Sequence, residues 1–462
     1  MGGKGEAHVV MLPWLAFGHM IPFLELSIAL AKSGTVHVSF LSTPTNIQRL
    51  IPKLPPNLSK LIRFISLPLP NPASNPLPEN AEATVDVPPD KIDALKIAYD
   101  LMQEPIKNFI AEASPDWIIV DFFPHWAVDI AQAFSIPLIF YSMFTCSTDV
   151  FFGPPEYLSG EGQKQFRSSA ETMTTPPHWV DFPSKVVYTI QEATGAQFGF
   201  YGRNKSGISD SKRLARVIEG SQAIAIRTCP EFEGDYLKLY SKITGKPVIP
   251  VGLLPPEKPS AESAKQEPWI KVFKWLDQQK SRSVIFVGFG SETKLSEVEI
   301  HEIAYGVELS GLPFVWALRA DLDALPSGFC RRTAVQGVVQ VGWAPQREIL
   351  AHPSVGGSFF HAGWGSIIEA LQFGHILVFL PLIIDQPLNA RMMEEKELGI
   401  EVERAEDGSL SRNNIASALK GAMLSDQLRA RARLVADQVF GNYDLHRSYA
   451  QQFAEYLKRD NS

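Results

Sequence analysis

The 44 residues that begin at Trp343 and end at Gln386 constrain this chain more than any other part of it. They read WAPQREILAHPSVGGSFFHAGWGSIIEALQFGHILVFLPLIIDQ. Val355–Phe360 has the character of a buried strand, and helical spacing resumes at Ile367, Ile368, Ala370 and Leu371. The turn between them carries Gly363 and Gly365, which let the backbone bend sharply and bring its N–H groups close to a ligand. A helix that starts in this turn offers unpaired donors and a favourable dipole to an anion. His361 and the Ser366 hydroxyl can add hydrogen bonds to the same oxygens, and Glu369 follows one turn later. Ser366-Ile-Ile-Glu369 also fits a capping box, in which both side chains serve only the backbone. A second apolar strand then leads to Asp385-Gln386.

The N-terminal part has a similar rhythm. Residues 8–13 read as a first strand, a loop from Pro13 to Phe17 precedes His19, a helix continues through residues 23–32, and Val36–Ser42 makes a second strand. This opens a doubly wound α/β unit, in which ligands gather at the carboxyl ends of strands. Residues 116–121 form a short strand ending in Asp121, again at a carboxyl edge. Asp121 also suits an N-cap for a helix through residues 126–134, and a histidine at a helix start is commonly a solvated or structural residue. Further strands are expected at residues 64–68, 138–141, 223–227 and 248–254, with a helix over 91–113 that Pro105 should kink or break. Residues 255–268 are polar and proline-rich, as a linker should be, and a helix over 269–279 opens a second doubly wound region.

The 343–386 segment resembles the donor-binding signature of plant family-1 UDP-glycosyltransferases, the enzymes of secondary-product glycosylation. It matches in length and in W-A-P-Q, L-x-H, H-x-G-W-x-S, E, G, P and D-Q. The resemblance implies that Trp343, beside Ala344, stacks on uracil and that Gln346 and Glu369 hold the ribose. It implies that His361 and Ser366, with the backbone at Gly363 and Gly365, contact the pyrophosphate, and that Trp364, Asp385 and Gln386 meet the sugar. Phe289-Gly290-Ser291 matches a stretch whose serine reaches the phosphates. Gly18-His19-Met20-Ile21-Pro22 matches the context of the family's general base, and Asp121 the carboxylate that orients it. Two departures stand out: Ala362 replaces the usual Cys, and Gly365 replaces an Asn whose amide commonly touches phosphate.

The implied fold is α/β, two facing Rossmann-like doubly wound domains of GT-B type with a cleft between them. The expected divisions are 1–250 for the acceptor, 251–268 as linker, 269–442 for the UDP-sugar, and a helix in 443–462 returning to the first domain with Tyr449, Phe453 and Tyr456 as its apolar side. The implied reaction is a metal-independent single displacement with inversion, moving glucose or rhamnose from UDP. Gln386, where a His would favour UDP-galactose, leans away from that donor. The loop at Pro13–Phe17, the stretch from Asp121 to Trp126, and Gly374-His375 resemble the branch-forming clade, which adds sugar to sugar. The acceptor is then expected to be a flavonoid or terpenoid glycoside, with an unglycosylated aglycone as the alternative. Trp14, Phe122 and Trp126, close in sequence to His19 and Asp121, are candidates for its pocket wall together with Phe144; for any one of the aromatics in residues 144–202, core packing is at least as good an explanation.

Bulk properties exclude other classes. A net charge of −7 argues against nucleic acid as a partner. Three scattered cysteines lack metal-ligand spacing and fit reduced thiols in the cytoplasm. No signal peptide or membrane span is evident, the longest apolar run being interrupted at Pro381. No strand is followed by G-x-G-x-x-G, and G-x-S-x-G is absent, which removes a nicotinamide oxidoreductase and a serine hydrolase. Asp321-Leu-Asp323 lies far from the donor signature and reads as solvated surface, so neither metal nor cofactor is expected; the UDP-sugar is a co-substrate. A monomer is expected. A non-catalytic UDP-sugar-binding protein fits the signature but leaves His19 and Asp121 without a purpose.

Overall fold

The computed structural model describes residues 5–72, 76–160, 167, 169–257, 259, 267–290, 292, 294–405 and 407–458. Ser291 and much of the proline-rich linker therefore lie outside the described residues. The chain divides into two compact units. One takes the residues up to Pro183, Tyr188–Leu254 and the chain from Tyr443 onward; the other takes Ser184–Val187 and Pro255–Asn442.

The first unit is built on seven strands: β1 (Ala7–Leu12), β2 (Val36–Ser42), β3 (Ile62–Ser66), β4 (Trp117–Val120), β5 (Leu138–Ser142), β6 (Ala223–Ile226) and β7 (Val248–Pro250). They lie in the order β3-β2-β1-β4-β5-β6-β7, each pair parallel. The second unit has β8 (Val284–Val287), β9 (Phe314–Leu318), β10 (Gly337–Val341), β11 (Val355–Phe360), β12 (Ile376–Phe379) and β13 (Gly399–Glu401), in the order β10-β9-β8-β11-β12-β13, again all parallel. Parallel neighbours need long crossovers, and the helices that supply them cover both faces. That is why β4, β5, β8, β11 and β12 are buried at every position. In each sheet the winding reverses beside the first strand, between β1 and β4 and between β8 and β11, and such reversals open crevices at the carboxyl ends.

Three expectations need correction. The helix over 91–113, expected to be kinked or broken by Pro105, is two helices, Ile92–Asp100 and Gln103–Ala113, so the break is there and only its position differs. The break precedes Pro105, which falls in the first turn of the second helix, where its missing N–H costs little. The strand expected over 248–254 ends at Pro250. Beyond it Gly252 adopts φ +81°, and an added Cβ there would lie 3.1 Å from His446 Cα. The helix Tyr443–Leu457 packs on Phe17–Ala31, and its buried side holds His446, Ala450, Phe453, Ala454 and Leu457, with Tyr456 packed against the same core, but not Tyr449. The Tyr449 hydroxyl instead donates to Glu231, at 2.9 Å from Oε1. Trp117 Nε1 donates to the carbonyl of Leu457 at 2.8 Å, and His446 Nδ1 accepts from the N–H of Leu253 at 3.1 Å.

Candidate active site

In the first unit, the crevice between β1 and β4 brings His19 and Asp121 together. The chain leaves β1 at Leu12, and the helix Phe17–Ala31 carries His19 in its first turn; Asp121 follows β4 directly. Asp121 Oδ2 lies 2.9 Å from His19 Nδ1 and 2.5 Å from the backbone nitrogen of Trp14, while Oδ1 accepts from the N–H of Phe123 at 2.9 Å. The aspartate side chain is fully buried, and that of histidine is 16 % exposed. A carboxylate only accepts, so this contact places the imidazole proton on Nδ1 and leaves the Nε2 lone pair free to take another. Asp121 is not a helix cap: the next helix, Ala127–Phe134, has Trp126 at that position.

The aromatic candidates separate into two groups. The Phe122 ring lies 6.0 Å from that of His19 and stacks on Phe144 at 5.9 Å. Phe200 meets Phe122 at 6.4 Å and extends this wall. Trp14 and Trp126 form the other group: Trp14 stacks on Phe123 at 4.1 Å, and Trp126 Nε1 donates to Asp100 at 3.2 Å. Phe123, 5.9 Å from the His19 ring, escaped the sequence reading although it adjoins Phe122.

In the second unit, β11 runs into the turn at His361 and then into the helix Trp364–Leu371. The helix begins at Trp364 with Gly363 at the N-cap and no side-chain cap, two residues earlier than Ser366. Ser366 therefore sits inside the first turn, and the capping-box reading is wrong. Glu369 accepts instead from Gln346 Nε2 at 2.6 Å. Gln346, Ser366, Gly288 and Ser358 line a small cavity whose apolar remainder is Phe286, Leu350, Phe360 and Ala370.

Burial pushes His361 down to about 4, so the ring is neutral, and its buried Nδ1 has no hydrogen-bond partner among the described residues. Only glycines allow the ring this position. A Cβ on Gly290, where φ is +73°, would lie 2.7 Å from His361 Cε1, and one on Gly363 would lie 2.6 Å from Nε2. Replacing Gly290 with Ala should therefore weaken UDP binding, measured by calorimetry, by about tenfold or more through displacement of this ring.

The remaining donor candidates are arranged unequally. Trp343 is 62 % exposed, with the Arg319 guanidinium 4.3 Å from its ring centroid. Ala344 is partly buried against the core. Trp364 is 3 % exposed, with its ring edge-on to Phe440 at 6.2 Å inside the second unit. Gln386 is buried, and its Oε1 accepts from the N–H groups of Leu382 and Ile383, each at 3.0 Å. Asn389, which the sequence reading missed, donates to Asp385 Oδ2 at 2.7 Å and to the Ala362 carbonyl at 3.0 Å, tying the two halves of the signature together. Its i, i+4 spacing from Asp385 was the available signal. Asp321 and Asp323 are exposed, and no cluster of three or more potential metal ligands occurs among the described residues. Among those residues no helix is long and apolar enough to cross a membrane.

Comparison with known proteins agrees with this fold. The family profile described as UDP-glucoronosyl and UDP-glucosyl transferase matches residues 258–434. UDP-glycosyltransferase 91A1 of Arabidopsis thaliana is 42 % identical over 99 % of this chain and 97 % of its own length. Soyasaponin III rhamnosyltransferase of Glycine max is 38 % identical over 98 % of this chain and 95 % of its own. Among solved structures, Glycyrrhiza uralensis UGT73P12 complexed with glycyrrhetinic acid 3-O-monoglucuronide superposes with a TM-score of 0.80 at 22 % identity, covering 98 % of this chain and 96 % of that one. The fold is GT-B, and the chain belongs to the plant family-1 UDP-glycosyltransferases, enzymes that transfer a sugar from a UDP donor.

Proposed function

We propose that the chain is an inverting hexosyltransferase that moves glucose or rhamnose from UDP to the sugar of a flavonoid or terpenoid glycoside. The relative named for rhamnosyl transfer to a soyasaponin supports this acceptor class. The observation that carries the reading is the 2.9 Å contact from Asp121 to His19 Nδ1, because it leaves Nε2 as a base. His19 removes the proton of the acceptor hydroxyl while that oxygen attacks the anomeric carbon from the side opposite UDP. Asp121 stabilises the imidazolium that forms. Charge growing on the diphosphate is met by His361, the Ser366 hydroxyl and the N–H groups of the first turn at Gly363–Ser366, with Ser291 as a further donor. Trp343 provides the stacking surface for uracil, Gln346 and Glu369 hold the ribose, and Asp385 and Gln386 meet the hexose. In this reading the first unit binds the acceptor, with Phe122 and Phe144 on the pocket wall, and the second binds the donor. The protein acts as a cytosolic monomer without a metal. Cys146, Cys229 and Cys330 are all free thiols, which suits a reducing compartment.

Incubation with UDP-glucose or UDP-rhamnose and a matched panel of glycosides and aglycones tests this. UDP release that requires a glycoside, with product mass raised by one hexose or deoxyhexose, is the expected outcome. Transfer to aglycones alone contradicts the sugar-on-sugar assignment, and binding of UDP without turnover on any acceptor contradicts catalysis. Glu369→Ala should raise the KM for the UDP-sugar about tenfold or more with little change in kcat, since a ribose contact is made equally in ground and transition states. An unchanged donor KM would rule out the ribose role.

A further inference from the structure

Asp121 is held by more than His19. The N–H of Trp14, which donates to Oδ2 at 2.5 Å, belongs to the same peptide group as the carbonyl of Pro13. That carbonyl accepts from the Tyr99 hydroxyl at 2.8 Å. A peptide that receives a hydrogen bond at oxygen is polarised and becomes a better donor at nitrogen. Tyr99, the Pro13–Trp14 peptide, Asp121 and His19 thus form one continuous hydrogen-bonded chain within the first unit. Tyr99 is completely buried, with its ring edge-on to Trp14 at 5.2 Å and tilted against Trp126 at 6.0 Å. Burial, then the charges of Asp121 and Asp100, hold its hydroxyl well above the usual phenol range, against the opposing charge of Arg213. It is therefore a permanently protonated donor. On the far side of the carboxylate, Arg213 fixes Phe123 by donating from Nη1 to its carbonyl at 2.9 Å.

We propose that Tyr99 is a positioning residue for the His19–Asp121 pair, acting through the Pro13–Trp14 peptide to fix the carboxylate and to moderate its pull on the imidazolium proton. The proposal rests on His19 being the base. Tyr99→Phe keeps the ring and deletes the donor. In that variant the carboxylate is less satisfied and draws the imidazolium proton more strongly, so the acid limb of the kcat/KM profile should move to higher pH by about 0.3 or more. Looser geometry should lower kcat about three- to tenfold with the UDP-sugar KM unchanged. In an Asp121→Asn background the same substitution should have little further effect, because the chain acts on that carboxylate.

A Y99F enzyme that melts earlier yet keeps native kcat and acid limb overturns the proposal. So does a loss that adds fully to that of Asp121→Asn. Native turnover in Asp121→Asn itself overturns the base-and-orienter reading instead, so the two failures are distinguishable. Should Y99F not fold, site-specific 3-fluorotyrosine at position 99 keeps the hydroxyl as a stronger donor and should move the acid limb to lower pH. An unmoved limb there overturns the proposal equally.

Discussion

Replacing His19 with Ala should lower kcat by a factor of about 10² to 10⁴ while leaving UDP affinity close to native. The size follows from the proposed role: the contact with Asp121 at Nδ1 leaves Nε2 to take the substrate proton in that reading, and the variant loses this positioned base. The retained affinity follows from the separation of labour between the units. The residues assigned to uracil, ribose and diphosphate all belong to the second, whereas His19 belongs to the first. Steady-state kinetics with the preferred acceptor gives kcat, and calorimetric titration with UDP gives affinity. A variant that keeps most of its turnover would remove His19 from catalysis. One that loses UDP binding in parallel would move it into the donor site.

Stability of the second unit should fall steeply as the pH is lowered from 6.5 toward 4. Burial holds His361 down to about 4. Burial, then the charge of Arg282, holds His375 down to about 3. His375 is fixed in one neutral tautomer: Nε2 must donate to the Leu350 carbonyl at 2.9 Å, so Nδ1 accepts from Ser358 at 2.9 Å. Both pKa values are depressed relative to the unfolded chain, so between 6.5 and those values the unfolded state binds more protons and stability rises with pH. Nothing is lost above 6.5. At pH 5 each histidine accounts for about 2 kcal/mol of lost stability, roughly 4 kcal/mol together. Denaturant unfolding at a series of pH values, followed by a fluorescence signal from the second unit, measures the slope. His375→Gln removes a titrating group while keeping a donor and an acceptor, and should flatten that slope by about half. A stability that is level from pH 7 to pH 5 would contradict the assignment.

The doubly wound architecture was legible because its signals are local. Apolar runs such as Val355–Phe360 and Val36–Ser42 need no partner to be recognised, and both strands were delimited as the structure has them. The turns after β1, β4 and β11 stood out because ligands of doubly wound sheets gather at the carboxyl ends of strands, although a solvated histidine, an N-cap aspartate and a capping box fit the same residues. What stayed hidden depends on distant partners. Trp364 stands among ligand-facing candidates in sequence, yet its ring packs on Phe440, which only the tertiary fold brings near. Tyr99 gives no sign, 86 residues from Pro13, that its hydroxyl supports the loop before His19. The partners of Trp14 and Trp126, Phe123 and Asp100, were hidden likewise, because sequence proximity to His19 and Asp121 does not say what a ring packs against. The end of β7 at Pro250 needed knowledge of His446, nearly two hundred positions away.

The return of Tyr443–Leu457 to the Phe17–Ala31 helix imposes an order on biogenesis. On the ribosome the second unit is complete before this helix is made, while the first, although begun earlier, still lacks Phe453 and Leu457 from its core and a partner for Trp117 Nε1. Whichever unit starts first, the one that carries His19 closes last.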